Sequence, residues 1–221
     1  SGLHELTREY AITNLGEGVD ATGELKPEAM ERVVRAIDGF LAVRDSLSTP
    51  DHPVVRTVAV ATSAARDARN AADFAARLRE RGIELSVIPG AREAALSFSG
   101  ASIDFSGERL MVVDVGGGST EVVMGVGGAD PVCAHSFNVG CRRVTEKFLA
   151  SDPPAPEELA RARAWIHEKM ASWFAEQSKE AANLERVVAV AGTATTVVSI
   201  RERMETYDSS SVHKARVSRQ E

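Results

Sequence analysis

Residues 111–121 read MVVDVGGGSTE: an apolar run closing on an aspartate, then three consecutive glycines, two hydroxyls and a second acid. No other stretch restricts the chain as strongly. Glycines allow a turn where side chains would clash, and they let backbone N–H groups approach an anion closely. Asp114 and Glu121 flank that turn, and they are the groups a phosphate site uses to hold Mg²⁺ or to handle a water. The following EVVMGV alternates with the period of a strand. The unit therefore reads strand–loop–strand, and it differs from a Walker loop, which needs a lysine and a following helix. A glycine-rich hairpin turn between two solvated acids would carry the same residues without any ligand.

Around this hairpin the chain alternates strands and helices, the pattern of a layered α/β protein. The opening LHELTREY predicts part of a strand, followed by a glycine-containing loop. Pro27 at a helix start, with Met30, Val33, Val34, Ile37, Phe40, Leu41 and Leu47 in register, predicts an amphipathic helix over 27–47. VVRTVAVAT predicts a buried strand, and a helix from about residue 70 stops at Gly82. IELSVI reads as a second strand and GAREAALSFSGA as a short helix. The polar stretch 102–109 marks a seam, giving domains at 1–106 and 107–221. Beyond it, strands at about 109–115, 119–126 and 132–137 form a meander. Helices follow at 140–150 and 156–182, the second with a core stripe of Leu159, Ala162, Trp165, Ile166, Met170, Trp173 and Phe174. RVVAVAG closes the strands, TATTVVSIRERM is helical, and Ser209–Glu221 carries little periodicity.

A second glycine loop after an apolar strand, Ala189–Thr196 (AVAGTATT), places Gly192, Thr193 and Thr195 before a helix. Amides at a helix start beside hydroxyls suit a phosphate, and capping by Thr193 explains the same residues without one. Glu93 falls in the first turn of a short helix, where the helix dipole favours an acid whatever its role. Arg66 and Arg69 lie just past a strand, where ligands of such sheets bind; a solvated charge run accounts for Arg66 equally well and for Arg69 better.

With a net charge of −6 and a pI of about 5.5, the composition makes no case for nucleic acid. A polyanionic substrate would have to be drawn by local basic residues, of which Arg66, Arg69 and Arg142–Arg143 are the candidates. The two cysteines, Cys133 and Cys141, read as buried thiols or an incidental pair, and the five histidines form no metal pattern. No apolar run reaches the length of a membrane span and no signal-peptide pattern opens the chain, so a cytoplasmic location is expected. No serine sits in a nucleophile elbow, which leaves direct attack of water on phosphorus.

Five blocks in order, ATSAARDARNAADF, IPGAREAALSFSGA, VVDVGGGSTEVVMG, SFNVGCRRVTEKFL with SDPP, and VVAVAGTATTVVSI with YDSSSVH, resemble the exopolyphosphatase/guanosine pentaphosphate phosphohydrolase (Ppx/GppA) family, in the style of its actinobacterial members. That resemblance implies two ribonuclease-H-like domains of the actin, sugar kinase and heat-shock superfamily, with a cleft between them. It implies release of terminal phosphate from polyphosphate or pppGpp with Mg²⁺, and for the full protein it is compatible with a homodimer. By position, Asp114 and Glu121 match the family's acids and would hold the metal. Gly116, Gly117, Gly118 and Ser119 match the phosphate turn. Glu93 matches the glutamate thought to activate water, and Arg92 replaces its paired acid. Gly192–Thr195 match the loop that faces a nucleoside in kinases. Nothing matches the family's first phosphate loop, and both domains are expected to be incomplete, with little turnover by these residues alone. A non-catalytic polyphosphate or alarmone sensor, or a kinase of the superfamily, are the alternative readings.

Overall fold

The computed structural model describes residues 4–218 and Gln220. Leu3, where the expected opening strand begins, and Arg219 and Glu221 of the tail lie outside the described residues. Backbone contacts divide the chain into two compact units, one up to Ile88 and one from Pro89 onward.

In the first unit, a short helix α1 (Val19–Thr22) is bracketed by Gly18 and Gly23, both in the left-handed region. The long helix α2 (Pro27–Leu47) begins at the proline, which fixes φ for the first turn and lacks the N–H that would go unpaired there. Next come β1 (Ala59–Ala61), α3 (Ser63–Asp67), α4 (Ala71–Arg79) and β2 (Leu85–Val87). The two strands pair in parallel, Ala59 opposite Leu85. Leu25, Met30, Val34, Phe74, Leu78 and Ile83 form the buried core. The Asn70 side chain clamps both backbone groups of Leu25, at 2.8 and 3.0 Å.

Two expectations fail in this unit. Residues 4–13 form no strand and are almost wholly exposed, and VVRTVAVAT is neither long nor buried as a strand, with Val55 91% and Val58 67% exposed. The reason is pairing. Among the described residues β1 has a neighbour on one side only, so nothing satisfies the backbone of residues 54–58 in a ladder.

The second unit opens with α5 (Gly90–Ser102), then a 3₁₀ turn (Ile103–Phe105) and the meander β3 (Arg109–Val115), β4 (Thr120–Val126) and β5 (Pro131–Phe137). Helices α6 (Cys141–Phe148), α7 (Pro156–Glu176) and α8 (Ser178–Ala181) lead to β6 (Arg186–Val190), α9 (Ala191–Arg201) and the single turn α10 (Ser209–Val212). The sheet order is β5-β4-β3-β6, antiparallel except for the β3–β6 pair.

Side chains alternate across a strand, and both faces of this sheet are used. On one face Leu110, Val112 and Val123 pack with Ala94 and Phe98 of α5. On the other, Val122, Met124, Phe137 and Val139 meet Trp165, Ile166, Met170, Trp173 and Phe174 of α7. That is the expected stripe, except that Leu159 is 39% exposed. Gly125 in mid-strand makes room for Phe98, whose ring would lie 2.9 Å from a Cβ there.

Because α5 is anchored to β3 and β4 by fully buried side chains, the units part at 88/89, ahead of the polar stretch read as a seam. The start of α7 is tied down by Glu158, which accepts from the N–H groups of Ala150 and Ala155 and from the Ser151 hydroxyl. Those hydrogen bonds, the Ser151 hydroxyl first, hold its carboxyl down at about 2. Both cysteines are free thiols; Cys133 is half-buried, while Cys141 is exposed rather than buried or paired. Among the described residues no helix is long and apolar enough to cross a membrane.

Candidate active site

A two-residue turn joins β3 to β4: the Gly116 N–H donates to the Ser119 carbonyl at 3.0 Å, leaving Gly117 and Gly118 at the tip. So tight a turn fixes the register. Asp114 stands directly opposite Glu121, and Glu121 in turn opposite Ser136 on β5. On β6 the same row is completed by Val190, opposite Asp114. Since directly opposed residues share a face, Asp114, Glu121 and Ser136 all lie on the side where α5 packs.

Helix α5 brings two more groups to that row. Glu93 and Ser97 are four residues apart and so occupy one helix face. The Ser97 hydroxyl donates to Asp114 Oδ2, and the charges of Glu93 and Asp114 both act on Glu121. Three carboxylates expected from the sequence to work together are thus gathered in one compact unit.

Glu121 is 1% exposed and accepts from the Ser136 hydroxyl at 2.6 Å. Burial pushes its carboxyl up first; the Ser136 and Ser119 hydroxyls pull it down, and the charges of Glu93 and Asp114 push it up further. An acid whose folded pKa is raised contributes stability that is full below its unfolded value. That stability is lost as pH rises through the folded value. Glu121→Gln, measured in chelator, should therefore melt a few degrees above wild type at neutral pH, and the gap should close as pH falls below the ordinary glutamate range. Thermal melts across pH check this; a variant less stable than wild type at pH 7 would contradict it.

Helix α6 holds the glycine turn from behind. The Gly116 carbonyl accepts from the Cys141 N–H (3.0 Å), Gly117 from the Arg143 N–H (3.1 Å), and Gly118 from Arg143 Nε (2.9 Å). A planar trans peptide sends its N–H opposite to its carbonyl. The N–H groups of Gly117, Gly118 and Ser119 are therefore turned away from α6, three successive donors in the manner of an anion-binding nest. The Gly116 N–H is committed to the turn itself. Close seating of α6 requires Gly140: a Cβ there would fall 2.6 Å from the Gly118 carbonyl carbon and nearer still to Gly117.

The second glycine segment is not a loop. Strand β6 passes into α9 through a single left-handed residue, Ala191 (φ 70°). Gly192, Thr193 and Thr195 lie in the first turns of the helix, where the Thr195 and Thr196 hydroxyls donate back to the Gly192 carbonyl. Thr193 is not the cap; the N-cap position is Val190, with no side-chain capping bond. Since β3 and β6 run parallel, this junction and the glycine turn leave neighbouring strands at the same sheet end.

Arg66 belongs to the first unit, where its guanidinium donates to the Ile88 carbonyl at 2.9 Å. His135 packs among Phe137 and Trp173, and His213 pairs with Asp104 at 3.1 Å, so both are ordinary structural histidines. Among the described residues no three of His, Cys, Asp and Glu are grouped to enclose a metal ion. Sequence reading missed Ser97 and Ser136. Ser97 carried a signal, since it follows Glu93 by one helical turn; Ser136 became visible only with the β4–β5 register.

Comparison with known proteins agrees with this architecture. The family model described as the Ppx/GppA phosphatase family matches residues 1–221. Exopolyphosphatase 2 of Mycobacterium tuberculosis is 38% identical over 223 residues, covering 97% of this chain and 67% of that protein. The crystal structure of an exopolyphosphatase-like protein superposes with a TM-score of 0.82 at 34% identity, over 93% of this chain and 64% of that one. The Aquifex aeolicus Ppx/GppA enzyme superposes with a TM-score of 0.68 at 29% identity, over 91% of this chain and 64% of its own. The chain thus spans about two thirds of the length of these relatives.

Proposed function

The chain belongs to the Ppx/GppA phosphatase family, and from that premise we propose that it carries the catalytic acids of a Mg²⁺-dependent phosphohydrolase. In this reading the enzyme releases terminal orthophosphate from inorganic polyphosphate, from pppGpp, or from both. One observation carries the proposal: three N–H groups turned away from α6 at 117–119 stand at the end of the strand pair that bears Asp114 and Glu121, with Glu93 on the helix packed over the same face.

The N–H groups of Gly117, Gly118 and Ser119 donate to the terminal phosphoryl oxygens, as fixed dipoles that need no reorganisation when charge develops. Glu93 orients a water and takes its proton as the water oxygen attacks phosphorus. The bond to the bridging oxygen breaks, and the shortened anhydride leaves as the oxyanion.

Asp114 and Glu121 form an all-oxygen donor pair, which fits Mg²⁺, an ion commonly held by one or two carboxylates together with substrate phosphates and water. When bound, the ion would neutralise phosphoryl charge.

Phosphate release by the complete protein, with polyphosphate and pppGpp in competition and Mg²⁺ present, tests the reading. Release from at least one of them, abolished by chelation, is the expected result. No release from either would defeat the proposal.

A further inference from the structure

The residues of α5 that face the sheet follow the spacing 94, 97, 98, 101, and three of the four are apolar. Ala94 and Phe98 are fully buried, and Ala101 packs beside them. Ser97 is the exception. A hydroxyl in an apolar helical stripe carries a desolvation cost unless it is hydrogen-bonded. Serine in a helix commonly meets that need by bonding the carbonyl four residues back. Here the hydroxyl crosses to the sheet and donates to Asp114 Oδ2.

We propose that Ser97 is a positioning residue for Asp114. Its hydroxyl occupies one carboxylate oxygen, stops rotation of the carboxylate about its last side-chain bond, and leaves Oδ1 as the oxygen presented to the reaction. The same bond sets the height of α5 against β3, and with it the placement of Glu93 one turn earlier. Ser136 serves Glu121 in a parallel manner from β5, so each acid of the β3–β4 pair is held by a hydroxyl from a different neighbouring element. The role rests on the proposed phosphohydrolase reaction. It touches neither the phosphate-binding amides nor the proton acceptor directly.

Ser97→Ala in the complete protein tests it, with Ser97→Thr as the conservative partner. Releasing a carboxylate from its positioned orientation predicts a fall in kcat of about tenfold to a hundredfold. KM should change by less than about twofold, because ground-state binding through the loop amides is untouched. Losing one partner of a hydrogen bond to a charged group costs about 1–3 kcal/mol, so the melting temperature of the alanine variant should fall by roughly 2–12 °C, and threonine, which restores the hydroxyl, should restore most of the rate and of the stability. Unchanged kcat in Ser97→Ala would overturn the assignment. So would a loss of rate accompanied by a matching loss of stability and not repaired by threonine, which would mark Ser97 as a core polar group only. A wild-type protein that releases no phosphate defeats the underlying reaction instead, and that outcome is read before either variant is compared.

Discussion

Replacing Glu93 with glutamine is expected to lower phosphate release by about 10²–10⁴-fold while polyphosphate binding persists. Glutamine keeps the shape and the hydrogen-bonding reach of the side chain but cannot accept the water proton. Glu93 is partly exposed on the first turn of α5, so the exchange leaves no cavity. It also removes a negative charge that acts on the buried Glu121, so the melting temperature should hold or rise. Loss of rate with retained binding and stability separates a catalytic acid from a fold that only binds. Steady-state release assays beside a binding titration make the comparison. A variant with wild-type turnover would remove Glu93 from the chemistry.

The second large effect is expected at Gly140, far less conspicuous in the sequence. Its backbone is extended, with φ −142°, so alanine meets no conformational penalty. The obstacle is space. The added methyl would overlap the peptide between Gly117 and Gly118, which is main chain and cannot swing aside as a side chain could. Either α6 withdraws or the glycine turn shifts, and both break the bonds from Cys141 and Arg143 that aim the turn's amides. Overpacking of this kind costs about 3 kcal/mol, or a fall in melting temperature of roughly 6–12 °C for a chain of this size. Activity should fall further than stability, because a displacement of an ångström at positioned groups costs about a hundredfold. Melts together with release assays check both. A Gly140→Ala protein with normal turnover would mean that α6 does not set the turn.

Most of the second unit was legible from the chain because its signals are local. The three strands of the meander are short, apolar, valine-rich runs, and GGG between Val115 and Ser119 favours a tight turn. A tight turn fixes the Asp114–Glu121 pairing without further information. Pro27, Gly82 and Pro156 mark element ends by their own backbone restrictions. What stayed hidden depends on partners distant in sequence. The VVRTVAVAT run has the composition of a buried strand, but composition does not say whether a neighbour exists to pair with it. The register shift at Met124/Gly125 decides what lies opposite Glu121, and nothing in residues 127–137 announces it. Ala189–Thr196 reads as a second glycine loop by analogy with the first. A single left-handed residue, Ala191, folds it directly into a helix instead. The polar stretch at 102–109 resembled a domain limit because polarity reports exposure, whereas the limit is set by where Phe98 and Ala94 are buried.

That placement of the limit has a consequence for the geometry of the chemistry. With the break in the contact network falling ahead of Pro89, Glu93 and the opposed pair Asp114 and Glu121 are carried on one scaffold. Their mutual spacing is therefore set by the packing of α5 on β3 and β4 inside that scaffold. Substitutions before Pro89 should therefore leave the spacing of these three carboxylates unchanged.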